Sequence, residues 1–216
     1  KGIIVIDSVT GGNLYGSLEA NLPPPFDEGI DPIEIALYVI SNFIDEELPH
    51  YSREKKYEDE LDKWLLEPDD EESLVRFLVS SSDYDVEALI ATTSTWLRKK
   101  VRPEKIQAQI HAYAKVYPNL IKHDRRYPSP KHLLSVTRAH LPLYGMSGVG
   151  DGKDSPGSNL LIATIDKSDA RRVWVSVWGG ANCLAQALWK VRNTRSKADL
   201  AKFVAKIRVY TISDQD

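Results

Sequence analysis

From Asp69 onward the chain alternates short β-branched runs with longer helical patterns, and no other feature limits its fold as much. "DVEALIATTS" reads as a strand running into a polar loop, "RRVWVSVWGG" as a strand closing on two glycines, and "RVYTIS" as a last strand. Between them lie helical stretches. "SLVRFLVSS" is one, and "RPEKIQAQIHAYAKVYPNL" is a second, started by Pro103 and stopped near Pro118. "SPKHLLSVTRAHL", "LLIATIDK", "ANCLAQALWKVRNT" and "SKADLAKFVAKI" are the others. Strands that alternate with helices predict a mainly parallel α/β sheet with helices on both faces. Ligands of such sheets bind beyond the C-terminal strand ends.

The N-terminal part reads differently. "KGIIVID" is a buried strand that ends in Asp7. "SVTGGNLYGS" and "NLPPPFDEG" are loops by their Gly, Pro and Asn content. "DPIEIALYVISNFIDEEL" has a helix start, with Asp31 as cap, Pro32 in the first turn and Glu34 at capping-box spacing. "SREKKYEDELDKWLLE" is a charged helix. The predicted organisation is an N-terminal segment, 1–66, holding a first strand at 1–7 followed by an insertion or a foreign helical segment, and an α/β domain from 67 to 216. Asp7, the 92–98 loop, the "WGGAN" turn and "SDQD" then share one rim.

The 42% apolar and 27% charged residues are those of a soluble globular protein, and a net charge of -3 argues against a general nucleic-acid polymer or membrane-surface binder. The one cysteine, Cys183, leaves no internal disulfide and no cysteine metal cluster. No apolar run approaches the roughly 18 residues of a membrane span. The ends, Lys1 and "ISDQD", read as cut.

Four stretches could carry chemistry. In "EPDDEESLVRFL" five acids, Glu67, Asp69, Asp70, Glu71 and Glu72, crowd the start of a helix. A helix N-terminus stabilises one or two carboxylates by roughly 0.3–1 kcal/mol each. More than that, if convergent, asks for a cation, and carboxylates without His or Cys suit Ca²⁺ or Mg²⁺; an exposed acidic first turn is the simpler alternative. "GVGDGKDSPGS" lacks the Walker spacing and follows a helix rather than a strand. It can offer backbone N–H groups, Asp151, Lys153, Asp154 and Ser158 to a polar ligand, or be a plain surface loop. "VWGGAN" joins strand to helix through two glycines that allow close backbone approach, or is a tight turn with Asn182 as cap. Trp96, Trp174, Trp178 and Trp189 could form a sugar platform, although Trp174 and Trp178 share parity on one strand. The histidines read as structural or exposed, and Cys183 as a small buried thiol.

Taken together, "EPDDEESLVRFL", "VEALIATTSTWL", "VYPNLIKHD", "GVGDGKDSPGS", "VWGGANCLAQALWKVR" and "RVYTISDQD" resemble the nucleoside hydrolase-like proteins, a group with members described as cellulose-binding. The resemblance spans residues 67–216. It implies a nucleoside-hydrolase, Rossmann-like fold, here apparently truncated at the C-terminus. It also implies a Ca²⁺ held by strand-end and helix-start aspartates plus a backbone carbonyl from a later turn. On this chain those are Asp70, Asp7 and the Ala181 carbonyl, with Asp69 as catalytic base. The implied reaction is hydrolysis of a glycosidic bond, of the N-glycosidic type or a related one, through an oxocarbenium-like transition state. The implied partner is a small-molecule glycoside or carbohydrate, for which Asn182, Asp151, Lys153, Asp154 and Trp96 are the candidate contacts read from the chain itself. The chain departs from the family where "LDKWLL" precedes "EPDD" in place of a strand, with "KGIIVID" displaced upstream. With part of the family's site expected beyond residue 216, the chain is expected to be weakly active or inactive. A carbohydrate-binding protein on the same fold, without catalysis, is the main rival. An interaction domain without a ligand is the third reading.

Overall fold

The computed structural model describes residues 2–7 and 68–211, with the side chains of Ile6, Asp7 and residues 68–72 outside the described set. The helices expected within 31–66 and the "SDQD" end lie outside the described residues. Five strands form one sheet: β1 (Gly2–Asp7), β2 (Asp85–Ala91), β3 (Thr137–Ala139), β4 (Val173–Val177) and β5 (Ile207–Thr211). All pairings are parallel, in the order β3-β2-β1-β4-β5. "KGIIVID" is therefore the central strand, flanked by β2 and β4.

Six α-helices are described: α1 (Pro68–Val79), α2 (Pro103–His123), α3 (Pro130–Ser135), α4 (Pro156–Asp166), α5 (Asn182–Thr194) and α6 (Lys197–Ala205). Four of them begin at a proline, whose missing N–H is no loss in a first turn. The core has two layers, one on each face of the sheet. On one face Ile4, Ala88, Ile90, Val173, Val175 and Val177 pack against Leu161 and Ile165 of α4, Val191 of α5 and Phe203 of α6. On the other, Val5, Val86, Leu89 and Ala91 pack against Leu74 and Leu78 of α1, Ile106 and Ile110 of α2, and Leu133 of α3. Each fully buried Leu or Ile contributes roughly 1.5–3 kcal/mol.

Within β2, Val86 and Ala88 face opposite layers although they are two residues apart. The register explains this: Ile3 pairs with Val86 but Ile4 with Ala88, so Glu87 is the extra residue of a bulge. Without it, one half of β2 would turn its apolar side chains to the wrong layer.

Three local expectations are corrected. α2 does not stop near Pro118 but continues to His123, because Tyr117 and Leu120 pack against the same apolar layer as Ile110 and Tyr113. "SPKHLLSVTRAHL" is not one helix: α3 ends at Ser135, and Thr137–Ala139 pairs with Leu89–Ala91 as β3. A three-residue strand is too short to leave a period-2 signal. The "LLIATIDK" helix begins earlier, at Pro156, where Ser155 and Ser158 form a reciprocal capping box.

Candidate functional site

Helices α1 to α3 cover one face of the sheet and α4 to α6 the other. The first described helix after β1, α1, and the helix after β4, α5, thus lie on opposite faces, which makes the C-terminal ends of β1 and β4 the topological switch point. Asp7 is the last residue of β1. Helix α1 leads into β2 and runs back along the sheet, so its first turn, with Asp69 and Asp70, lies at the same end. The backbone therefore gathers Asp7, Asp69 and Asp70 at one rim. Among the described residues no group of three His, Cys, Asp or Glu side chains is placed to hold a metal.

The wall of this rim is held by a buried polar network. β2 runs into Thr92, Thr93 and Ser94, all fully buried. Thr92 Oγ1 donates to Asn182 Oδ1 at 2.6 Å. The Asn182 amide donates to Thr93 Oγ1 at 2.8 Å and to the Leu143 carbonyl at 2.7 Å. The Gly180 N–H donates to the Thr93 carbonyl at 2.8 Å. Three strand-end loops, after β2, β3 and β4, are locked to one another.

This geometry bears on several residues singled out from the sequence. Ala181, not Asn182, is the cap of α5. Asn182 is buried, and its side chain is occupied inside the protein rather than offered to a ligand. The Ala181 carbonyl accepts the Ala185 N–H at 2.9 Å, the first hydrogen bond of α5, so it is directed along the helix. In the glycine-rich loop, Gln186 is fully buried and holds both ends of a short segment: its Oε1 accepts the Gly150 N–H at 2.8 Å and its Nε2 donates to Asp154 at 2.9 Å. Lys190 reaches the second oxygen of Asp154 at 2.6 Å, and together with Gln186 it holds that carboxyl below its usual range. Asp154 is thus a tether, while Asp151 is exposed on the turn and Lys153 half-buried. Trp96 projects from the loop after β2. Trp178 packs on the α1 side of the sheet, as its parity requires.

Sequence reasoning passed over Gln186, placed Thr92 and Thr93 on the rim only as part of the 92–98 loop, and read His140 with the other histidines as structural or exposed. His140 follows β3 and is buried. Its Nδ1 shares a 2.8 Å hydrogen bond with Ser155 Oγ, the cap of α4, while Nε2 has no hydrogen-bond partner. Burial depresses its pKa to about 4, and the Gly148 backbone opposes that shift without closing a hydrogen bond of ordinary geometry. A signal existed for Gln186, which stands four residues after Asn182 and so on the same face of α5. Cys183 is fully buried, and burial pushes its thiol well up, so it is no nucleophile. The concavity lined by Ile165, Arg195 and Phe203 lies at the opposite end of the sheet, and Arg195 there is committed to Asp166.

Metal fit follows from the donor set. Asp7, Asp69 and Asp70 are carboxylate residue types, with no imidazole or thiolate among them, and that chemistry suits a hard cation such as Ca²⁺. Among the described residues no helix is long and apolar enough to cross a membrane.

The comparisons agree with this architecture. Residues 62–216 match the family described as cellulose-binding Sde182, nucleoside hydrolase-like domain. The chain is similar to a solved structure, a nucleoside hydrolase-related hypothetical protein from Saccharophagus degradans that is associated with carbohydrate metabolism. The two are 50% identical, with a TM-score of 0.67 over 69% of this chain. The match spans 36% of that longer protein. None of the curated proteins is significantly similar. With the matched residues running from α1 through β5, the chain belongs to the cellulose-binding Sde182, nucleoside hydrolase-like domain family.

Proposed function

We propose that this domain hydrolyses a glycosidic bond, N-glycosidic or closely related, at the rim formed by the C-terminal ends of β1 and β4. The reading is supported by the order of the strands, which puts the end of β1, at Asp7, and the first turn of α1, at Asp69 and Asp70, on the same side of a parallel sheet near its switch point. Asp70 and Asp7 would hold Ca²⁺; the Ala181 carbonyl is a weaker candidate, since α5 already uses it. When bound, the cation would orient sugar hydroxyls and lower the pKa of a water.

Asp69 is the proposed base. Its carboxylate takes a proton from water as the oxygen attacks the anomeric carbon, and the bond to the leaving group breaks through an oxocarbenium-like state. The Thr92–Asn182–Thr93 network keeps the neighbouring loops in place and so limits the freedom of a bound substrate.

A second reading has its own support. The family is described as cellulose-binding, and the similar protein from Saccharophagus degradans as associated with carbohydrate metabolism. The first favours a binding domain on this fold without catalysis, and the second fits either reading. One experiment separates the two readings. The chain and its Asp69→Asn and Asp70→Asn variants are incubated, with Ca²⁺ or with chelator, with nucleosides and aryl glycosides. Release of base or aglycone that needs Ca²⁺ and both aspartates supports hydrolysis. Saccharide binding without release supports the binding domain. Neither, together with no thermal shift from Ca²⁺, rules out both.

A further inference from the structure

We infer that the glycoside bound at the rim is anionic, and that Arg98, on the loop after β2, receives its phosphate or carboxylate group. This rests on the glycosidic reading of the rim.

The loop after β2 begins at the switch point. The Thr93 carbonyl, two residues beyond the strand, accepts the Gly180 N–H of the turn after β4 at 2.8 Å. The loop then closes a tight turn. Ser94 and Leu97 are buried and exchange two backbone hydrogen bonds of 3.2 Å, and Ser94 Oγ also accepts the Leu97 N–H at 3.1 Å. Arg98 follows directly, so an ordered turn sets where its side chain starts.

The side chain is held as well. Nε donates to the Thr95 carbonyl at 3.0 Å, and the guanidinium lies over the Tyr144 ring, 4.6 Å from its centre. Tyr144 is tied to the same loop, since its Oη shares a hydrogen bond of 3.0 Å with Thr95 Oγ1. Arg98 is nevertheless exposed, and among the described residues its Nη1 and Nη2 have neither a hydrogen bond nor an ion pair. Arg126, Arg171 and Arg195, by contrast, are each committed to a carboxylate. Arg98 thus presents the forked end of a guanidinium that is fixed from behind, a geometry that matches the paired oxygens of a phosphate or carboxylate. Little side-chain freedom remains to be lost when such a group binds.

The surroundings carry the matching sign. Between Arg98 and Lys105 five cationic residues, Arg98, Lys99, Lys100, Arg102 and Lys105, stand against one acid, Glu104, which pairs with Arg102 at 3.7 Å. A positive segment beside the rim attracts an anion to its own side. The aspartates at the end of β1 and the start of α1 repel one. The two signs therefore orient an anionic glycoside, with its charged group toward the β2 loop and its anomeric carbon toward the aspartates. A neutral glycoside gives the fork of Arg98 nothing to pair with.

The test is calorimetric titration in Ca²⁺ with two matched pairs, inosine with inosine 5′-monophosphate and phenyl glucoside with phenyl glucuronide. The proteins are the chain and its Arg98→Ala, Arg98→Lys and Asp70→Asn variants. In the parent, the anionic member of one pair should bind about tenfold tighter than its neutral member, and that pair identifies the group as phosphate or carboxylate. Arg98→Ala should bring the pair to within about twofold, and Arg98→Lys should keep only part of the preference, because an ammonium cannot present the fork. Equal affinity within both pairs, or a preference that survives Arg98→Ala, overturns the inference. If neutral ligands bind in that case and Asp70→Asn loses them, the glycosidic reading stands without it. A preference that needs Arg98 but not Asp70 supports the anion site and counts against the glycosidic reading. Binding of none of the ligands overturns both.

Discussion

Thr92 Oγ1 donates to Asn182 Oδ1 at 2.6 Å, and through this contact the end of β2 meets the start of α5 across 90 residues of sequence. Both residues are buried, and the same asparagine amide also satisfies Thr93 and the Leu143 carbonyl. Replacing Asn182 by Ala would leave all three partners short of a hydrogen bond inside the protein. The expected loss is about 2–4 kcal/mol, because each orphaned buried group costs roughly 1–3 kcal/mol and the neighbours relax in part. Urea unfolding followed by circular dichroism measures it. A loss below about 0.5 kcal/mol would mean the network does not hold the rim together.

Gly157, in the first turn of α4, lies against the sheet. A Cβ there would stand 2.8 Å from Ile90 Cγ2 and 3.1 Å from the Ala139 carbonyl. Gly157→Ala should therefore destabilise, despite the better helix propensity of alanine, by about 1–3 kcal/mol through overpacking. Thermal unfolding reads this as a lower midpoint; an unchanged or higher midpoint would show that α4 can shift away from β2 and β3 without penalty.

His140 makes stability depend on pH in a window of its own. Its folded pKa, about 4, lies below the ordinary value of 6.5, so the unfolded chain binds the extra proton between those two values. Stability from this group is full above pH 6.5 and declines as pH falls from about 6.5 to about 4. The decline is at most about 3 kcal/mol, at 1.36 kcal/mol per pKa unit. Carboxyls held low by neighbours, such as Asp169 beside Arg171 at about 2, act in the same direction but only below their unfolded pKa near 4. Chemical denaturation at pH 7, 5.5 and 4.5 should show the loss, and His140→Asn should flatten it. An equal slope in the variant would assign the pH dependence to other groups.

Gln186→Leu tests the tether of the glycine-rich loop. The substitution keeps a buried side chain but removes the acceptor for the Gly150 N–H and the donor to Asp154. Amide exchange at Gly150 should quicken at least about tenfold, as the loop opens locally without global unfolding. Exchange that stays slow would show that Lys190 alone suffices to hold the loop through Asp154.

Much of this architecture was legible in the chain. The runs at 85–91, 173–177 and 207–211 were legible as strands from their β-branched and apolar residues: β2 ends in a continuously buried stretch, β4 alternates buried and exposed positions, and β5 buries Ile207. The helix starts at Pro103 and Pro130 were legible from proline itself. The candidate rim was legible in outline, since strand ends and glycine turns fall at predictable places. Its internal bonding was not. Asn182 looked like a cap and proved to be a hub, because its partners, Thr92, Thr93 and Leu143, come from two other loops.

By itself, then, the sequence determined the longer strands and helices of residues 68–211, and which residue types stand at the strand ends, since these follow from local periodicity and from proline and glycine chemistry. Only the tertiary structure decided that "KGIIVID" is the central strand, that three residues after α3 complete the sheet, and that the bulge at Glu87 turns β2 to serve two cores. Those outcomes depend on pairings between residues far apart in the chain. Such pairings are selected by the burial and hydrogen bonding of the assembled fold, and no local pattern records them.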